Sequence, residues 1–235
     1  MPSLSIGRCG ARVDYHGSHV AAVSLRHSPI ARRNRPTHHT RASKASPRHN
    51  VVSMSNQPTP TNDTGKLNVG DTVPDFDLIA GGFTNVKLSD YKGKKVVLAF
   101  FPNCFSGASD DGCQCQMEEL KELTDADIPV IGISRDQPFA QKAWMDKIGN
   151  PALKTCCDWN MKVIEPCVGS FDFGAFFDGL GITKGFTGFV ASNRGCLVLD
   201  EDAKIIYKWI ALDDAGKSHP GFIPPMAEVK TALGL

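Results

Sequence analysis

The stretch that most restricts the fold is Val96-Val-Leu-Ala-Phe-Phe101, six apolar residues opened by two β-branched ones and ended by Pro102. An unbroken apolar run of this length suits a strand buried on both faces, as in the middle of an α/β sheet. A polar turn follows from Asn103 to Gly112, after which Cys113, Met117 and Leu120 recur at helical spacing. Ser109 is placed to cap that helix, and Asp110 and Asp111 put negative charge in a first turn that favours it. A loop that leaves the carboxyl end of a buried strand and enters a helix is where α/β folds carry their chemistry.

The rest of the chain supplies partners for this unit. Val69–Leu78 and Val86–Gly93 read as two short edge strands around a Gly81-Gly82 turn. Pro129–Ser134 reads as another buried strand. Asp136 is a candidate cap for a helix from Pro138 to Lys147 with Phe139, Ala143 and Trp144 on its inner face. Lys154–Asp158 is a short strand in which Cys156 and Cys157 must point to opposite faces. Arg194–Asp200 and Ala203–Ile210 form a hairpin turning near Glu201-Asp202, and Phe222–Leu235 holds a terminal amphipathic helix with Met226, Val229 and Leu233 inward. Ahead of the hairpin, Val168–Asn193 carries six of the thirteen phenylalanines, at 171, 173, 176, 177, 186 and 189. That stretch is either a satellite hydrophobic cluster or an aromatic lid or dimer surface.

Charge divides the chain. Residues 1–62 hold eight arginines and one lysine against a single acid, Asp14, leaving seventeen basic and twenty-four acidic residues beyond them. The leader is rich in Ser, Arg and His and lacks an apolar run long enough for a signal-peptide core or a membrane span, so it reads as an organelle transit peptide. Its serine and threonine content favours the plastid stroma, with the mitochondrial matrix as the alternative. Tyr15 is its only aromatic residue, which argues against nucleic-acid binding. The expected organisation is a basic transit segment at 1–62 and one folded domain at 63–235, with neither membrane nor nucleic acid among its partners. Eight cysteines, at 9, 104, 113, 115, 156, 157, 167 and 196, include no Cys-x-x-Cys pair. In a reducing compartment they do not imply a disulfide framework.

Phe101-Pro102, Phe105-Ser106 and Ser109, with Glu119, Leu120 and Leu123 beyond, resemble the active-site segment of the peroxiredoxins of the alkyl hydroperoxide reductase/thiol-specific antioxidant type. The resemblance spans about Leu67 to Leu235. It implies an α/β thioredoxin-like fold, a central mixed β-sheet flanked by helices. It also implies a cofactor-free peroxidase taking hydrogen peroxide or alkyl hydroperoxides, reduced by thioredoxin or a similar donor, and able to form a homodimer. In this family Pro102 would shield the pocket, Ser106 would hydrogen-bond the peroxide and Arg194 would polarise it. Arg194 stands out on its own account, since only it and Arg135 are arginines beyond residue 62, against fifteen lysines.

The family's loop runs proline, three residues, threonine or serine, two residues, then the peroxidatic cysteine; counted without a gap, that last place falls on Ser109. A serine hydroxyl needs a neighbouring base, and His219 is the only histidine beyond the leader. The working thiol would then be Cys104 or Cys113. A resolving cysteine five residues on would fall at Gln114, displacing that role to Cys113 or Cys115. Four readings follow: a peroxidase using another thiol, a degenerate relative serving as a binding or regulatory partner, a Cys→Ser replacement at 109, and a metal site using Cys104, Cys113 and Cys115 with Asp110 or Asp111.

Overall fold

The structure, a computed structural model, describes residues 65–106 and 113–235. The expected transit segment lies outside the described residues. Seven strands form one mixed sheet in the order β2-β1-β5-β4-β3-β8-β9. They are β1 (Asp77–Ala80), β2 (Asn85–Lys87), β3 (Val96–Phe100), β4 (Val130–Ser134), β5 (Lys154–Cys157), β8 (Gly195–Leu199) and β9 (Ile205–Ile210). A separate two-stranded ribbon pairs β6 (Ser170–Asp172) with β7 (Val190–Ser192). The helices are α1 (Cys113–Glu119), α2 (Lys121–Asp125), α3 (Pro138–Ile148), α4 (Ile164–Cys167), α5 (Phe173–Gly179) and α6 (Met226–Leu233). This is the expected thioredoxin-like arrangement.

The expected central strand is central. β3 runs parallel to β4 and antiparallel to β8, and all five of its residues are buried. Because side chains alternate across a strand, Val96, Leu98 and Phe100 enter one core layer while Val97, Ala99 and Phe101 enter the other. The second layer is closed by Cys113 and Met117 of α1, Leu120, Leu123, Trp144 of α3, and Val229 and Leu233 of α6. Each such side chain contributes roughly 1.5–3 kcal/mol on full burial, so β3 and α1 are fixed against each other from both sides of the loop that joins them. Among the described residues no helix is long and apolar enough to cross a membrane.

Three local expectations are corrected. β1 is not an edge strand: it pairs with β2 on one side and β5 on the other, because Ala80 and Ile79 register against Cys156 and Cys157. Asp136 does not cap α3. Gln137 takes the N-cap position without a side-chain bond, Pro138 opens the helix, and the Asp136 carboxylate turns to the loop after β3, where it accepts from the Cys104 amide. Within α3 the inward residues are Gln141 and Trp144, whereas Phe139 is 67 % exposed. Gln141 tolerates burial because its amide donates to Cys156 O at 2.8 Å and Ser134 Oγ at 3.1 Å. Phe139 packs edge-on against Phe83 at the surface.

The aromatic stretch divides. Phe171 and Phe173 are buried with Ala191, and Phe176 and Phe177 pack on them, which is a satellite core. Phe186 and Phe189 stay exposed and stack with centroids 4.9 Å apart. Asp178 holds the turn beneath them, accepting from Thr183, Thr187 and the Phe186 amide, and these bonds draw its carboxyl down to about 2.

Candidate active site

The site begins where β3 stops. Pro102 follows the strand, is buried, and has no amide to continue the ladder. The chain turns through Phe105 at φ 58°, and the Ser106 hydroxyl donates back to Asn103 O at 2.7 Å. The Cys113 amide then donates to Ser106 O at 3.1 Å, so the first residue of α1 is tied to the far end of the turn. This backbone bond brings the Ser106 hydroxyl to 3.0 Å from Cys113 Sγ. One hydroxyl carries one proton: it can serve Asn103 O while the sulfur is a thiol, and swing to the sulfur when that becomes an anion.

Arg194 completes the site from the hairpin. It immediately precedes β8, the antiparallel neighbour of β3, and is only 3 % exposed. Its Nε donates to Pro220 O at 2.9 Å, one terminal nitrogen to Gln116 Oε1 at 3.2 Å, and the other to Cys113 Sγ at 3.3 Å. A guanidinium is a planar fork that presents several donors at once, so three contacts fix its plane as well as its position. Cys113 Sγ therefore receives a hydroxyl from its own loop and a positive charge from a distant hairpin, in a setting closed to solvent. Both partners present hydrogen-bond donors to the one sulfur.

Cys104 has the opposite surroundings. It is half-buried, and its backbone amide donates to Asp136 Oδ2 at 2.8 Å. Burial, and next the Asp136 carboxylate beside it, push its thiol far above the ordinary range. Cys156, Cys167 and Cys196 are each pushed up to about 12, chiefly by burial, which marks them as core residues. Ser109, Asp110 and Asp111, and the side chain of Cys115, lie outside the described residues. Among the described residues no group of three or more His, Cys, Asp or Glu is placed to hold a metal ion.

Of the residues singled out from the sequence, Ser106, Cys113 and Arg194 are brought into contact, Pro102 lies buried at the base of their loop, and Cys104 faces a carboxylate. The profile of the AhpC/TSA family matches residues 69–208, a span that includes all of them. The chain belongs to this family, the peroxiredoxins. Among its relatives are a thiol peroxidase of Bacillus subtilis, 28 % identical over 169 residues that cover 72 % of this chain and 90 % of the relative. A thiol peroxidase of Staphylococcus aureus is 30 % identical over 165 residues, covering 70 % of this chain and 89 % of the relative. Among solved structures, a peroxiredoxin-like protein from Aquifex aeolicus superposes with a TM-score of 0.54 at 16 % identity, covering 72 % of this chain and 87 % of that one. AhpC of Mycobacterium tuberculosis gives 0.51 at 17 %, covering 72 % and 92 %. At such identities these two support the fold.

Three residues of this peroxiredoxin's site were not singled out by sequence reasoning as parts of it. Gln116 carried a usable signal, being on the same helical face as Cys113 one turn later. Pro220 contributes a backbone carbonyl, which side-chain chemistry cannot announce. Beside it, His219 stacks on Phe222 at 4.0 Å and meets the edge of Phe176 at 6.2 Å, which links the aromatic stretch to the loop that holds Arg194.

Proposed function

We propose that this peroxiredoxin is a thiol peroxidase in which Cys113 is the nucleophile. Its thiolate attacks the outer oxygen of a hydroperoxide, the O–O bond breaks, and the sulfur becomes a sulfenic acid. The other oxygen takes a proton and leaves as water or an alcohol, so two electrons pass from sulfur to peroxide. Ser106 and Arg194 hold the peroxide oxygens, and the guanidinium supplies charge where the departing oxygen becomes negative. A dithiol of the thioredoxin type returns the sulfur to the thiol through a mixed disulfide.

The observation that supports this reading is the double contact on Cys113 Sγ, from the Ser106 hydroxyl and the Arg194 guanidinium. It does not require Ser109 to act. The test is peroxide consumption by the full chain with thioredoxin and its reductase, using hydrogen peroxide and an alkyl hydroperoxide. Turnover is expected to vanish in Cys113→Ser and to persist in Cys104→Ser; persistence in Cys113→Ser defeats the reading.

We further propose that residues 1–62 direct the protein to the plastid stroma, from their acid-poor, Ser- and Arg-rich composition. A fluorescent protein fused to this segment is expected to be imported and processed by isolated plastids; import by mitochondria alone would favour the alternative. A homodimer is proposed on the exposed Phe186–Phe189 face, with loss of the dimer in Phe186→Ser, followed by sedimentation, as the expected result.

A further inference from the structure

We propose that the aromatic stretch braces the active-site arginine: Phe176 and His219 are positioning residues that hold the turn whose Pro220 carbonyl orients Arg194. The expected change in rate rests on the assignment of Cys113 as the nucleophile, whereas the change expected at Arg194 itself does not.

Residues 219–222 form a tight turn. Pro220 stands at its second position, where a fixed φ suits it, and the Phe222 amide donates to His219 O at 3.1 Å. Its ends are tied to the head of β8. The Ser218 hydroxyl bonds Asn193 Oδ1, the His219 amide donates to Ala211 O at 2.9 Å, and the Ala211 amide donates to Arg194 O at 2.9 Å. The central peptide of the turn carries Pro220 O, which accepts from Arg194 Nε at 2.9 Å. That peptide takes no part in the turn's own hydrogen bond, and Gly221 at the third position tolerates either sign of φ. Backbone bonds at the ends therefore leave the direction of the Pro220 carbonyl to be set by something else.

Ring contacts supply that restraint. His219 and Phe222, the first and fourth residues of the turn, stack across it with centroids 4.0 Å and planes 19° apart. The Phe176 ring meets His219 edge-on at 6.2 Å. Among the described residues the buried Nδ1 of His219 has no hydrogen-bond partner, so at that atom packing alone holds the ring. Phe176 is itself fixed, meeting Phe177 at 5.4 Å and the buried Phe171 at 6.5 Å. Its helix, α5, is capped by Asp172, which accepts from the Ala175 amide at 2.8 Å. At Gly174 an added Cβ would fall 1.7 Å from Phe186 O, so α5 lies directly against the returning backbone and has no room to slide. A packed aromatic block thus stands behind the turn, and the turn stands behind the arginine.

The test uses the full chain with Phe176→Ala and His219→Ala, which each delete a ring contact, and Phe176→Tyr and His219→Phe, which each keep one. Phe176→Leu fills the space without a ring and repeats the measurement in a packed core. The rate constant for oxidation of Cys113 by hydrogen peroxide is measured by rapid mixing. Hydrogen exchange at Arg194 Nε is followed by NMR, its signal identified by its loss in Arg194→Lys. The variants that lack a ring are expected to slow oxidation about fivefold, the size of one aromatic pair, and to speed exchange at Nε. The variants that keep a ring should recover both. In an Arg194→Ala background Phe176→Ala should slow oxidation no further, because a residue that acts through the arginine then has nothing to act on. A loss that persists in that background, or Nε exchange at the parent rate in every variant, would overturn the proposal and leave the rings a structural cluster. If the parent's Cys113 is itself inert to peroxide, the nucleophile assignment has failed, and exchange at Nε decides the brace on its own.

Discussion

Cys104 and Cys113 stand at the two ends of one loop, carry the same functional group, and meet opposite chemistry. Around Cys113 the polar neighbours donate: the Ser106 hydroxyl at 3.0 Å and the Arg194 guanidinium at 3.3 Å. Around Cys104 the polar neighbour accepts, since the Asp136 carboxylate already holds that residue's own amide at 2.8 Å. Burial and then the Asp136 carboxylate push the Cys104 thiol up, whereas the contacts on Cys113 Sγ are both donors. The deciding groups come from far along the chain, Asp136 from the end of β4 and Arg194 from the start of β8. The sheet therefore gives the two cysteines their different surroundings, by bringing one strand end with a cation and another with an anion to different parts of the same loop.

The comparison breaks outright if the wrong sulfur reacts. Cys113→Ser is expected to reduce peroxide consumption to the uncatalysed background, while Cys104→Ser retains most of it; steady-state assays with a thioredoxin system read both. The donors on Cys113 come next. Arg194→Ala is expected to slow the reaction with peroxide by about 10²–10³-fold, as for removal of a charged group that stabilises a developing anion. Ser106→Ala should slow it by about tenfold, the effect of one hydrogen bond to a charged group. Stopped-flow oxidation of the reduced protein measures each, and equal losses from both variants would mean that charge is not what distinguishes the site.

Asp136 tests the other half of the contrast. Burial and then the carboxylate hold the Cys104 thiol up, so Asp136→Asn removes one of the two main causes and must move that thiol down, toward its ordinary value. At about pH 9, near the range where ordinary cysteines ionise, iodoacetamide should then label Cys104 faster by about threefold, with Cys113 labelling unchanged. Differential alkylation followed by peptide mapping separates the two. Burial persists in the variant, so the effect is smaller than those at Cys113.

These predictions concern a site that was only partly legible beforehand. The β3–loop–α1 unit could be read because an apolar run and a helical repeat are local signals, and burial of all five β3 residues follows from them. Arg194 could be read because arginine is rare in the folded region and stands at the head of a hairpin. Loop length is a different matter. Counting residues after Ser106 leads to Ser109, which lies outside the described residues, and the bond from the Cys113 amide to Ser106 O is a tertiary fact that no propensity encodes. The same limit applies to α3. Hydrophobicity pointed Phe139 inward, yet buried acceptors on Ser134 and Cys156 draw Gln141 in and leave Phe139 outside.

The smallest expected effect belongs to Ser109, and its smallness is informative. A serine hydroxyl becomes a nucleophile only beside a base, and the single histidine of 63–235 has its ring stacked on Phe222 instead. Peroxide reduction also needs an atom that can give up two electrons and accept oxygen, which sulfur does and a hydroxyl oxygen does not. Ser109→Ala is therefore expected to keep the peroxide rate within about twofold of the parent. Ser109→Cys sharpens the point. If Cys113 holds the guanidinium, the added thiol gains no turnover in the Cys113→Ser background; full recovery there would show that Arg194 serves position 109 and reverse the assignment of the two places on the loop.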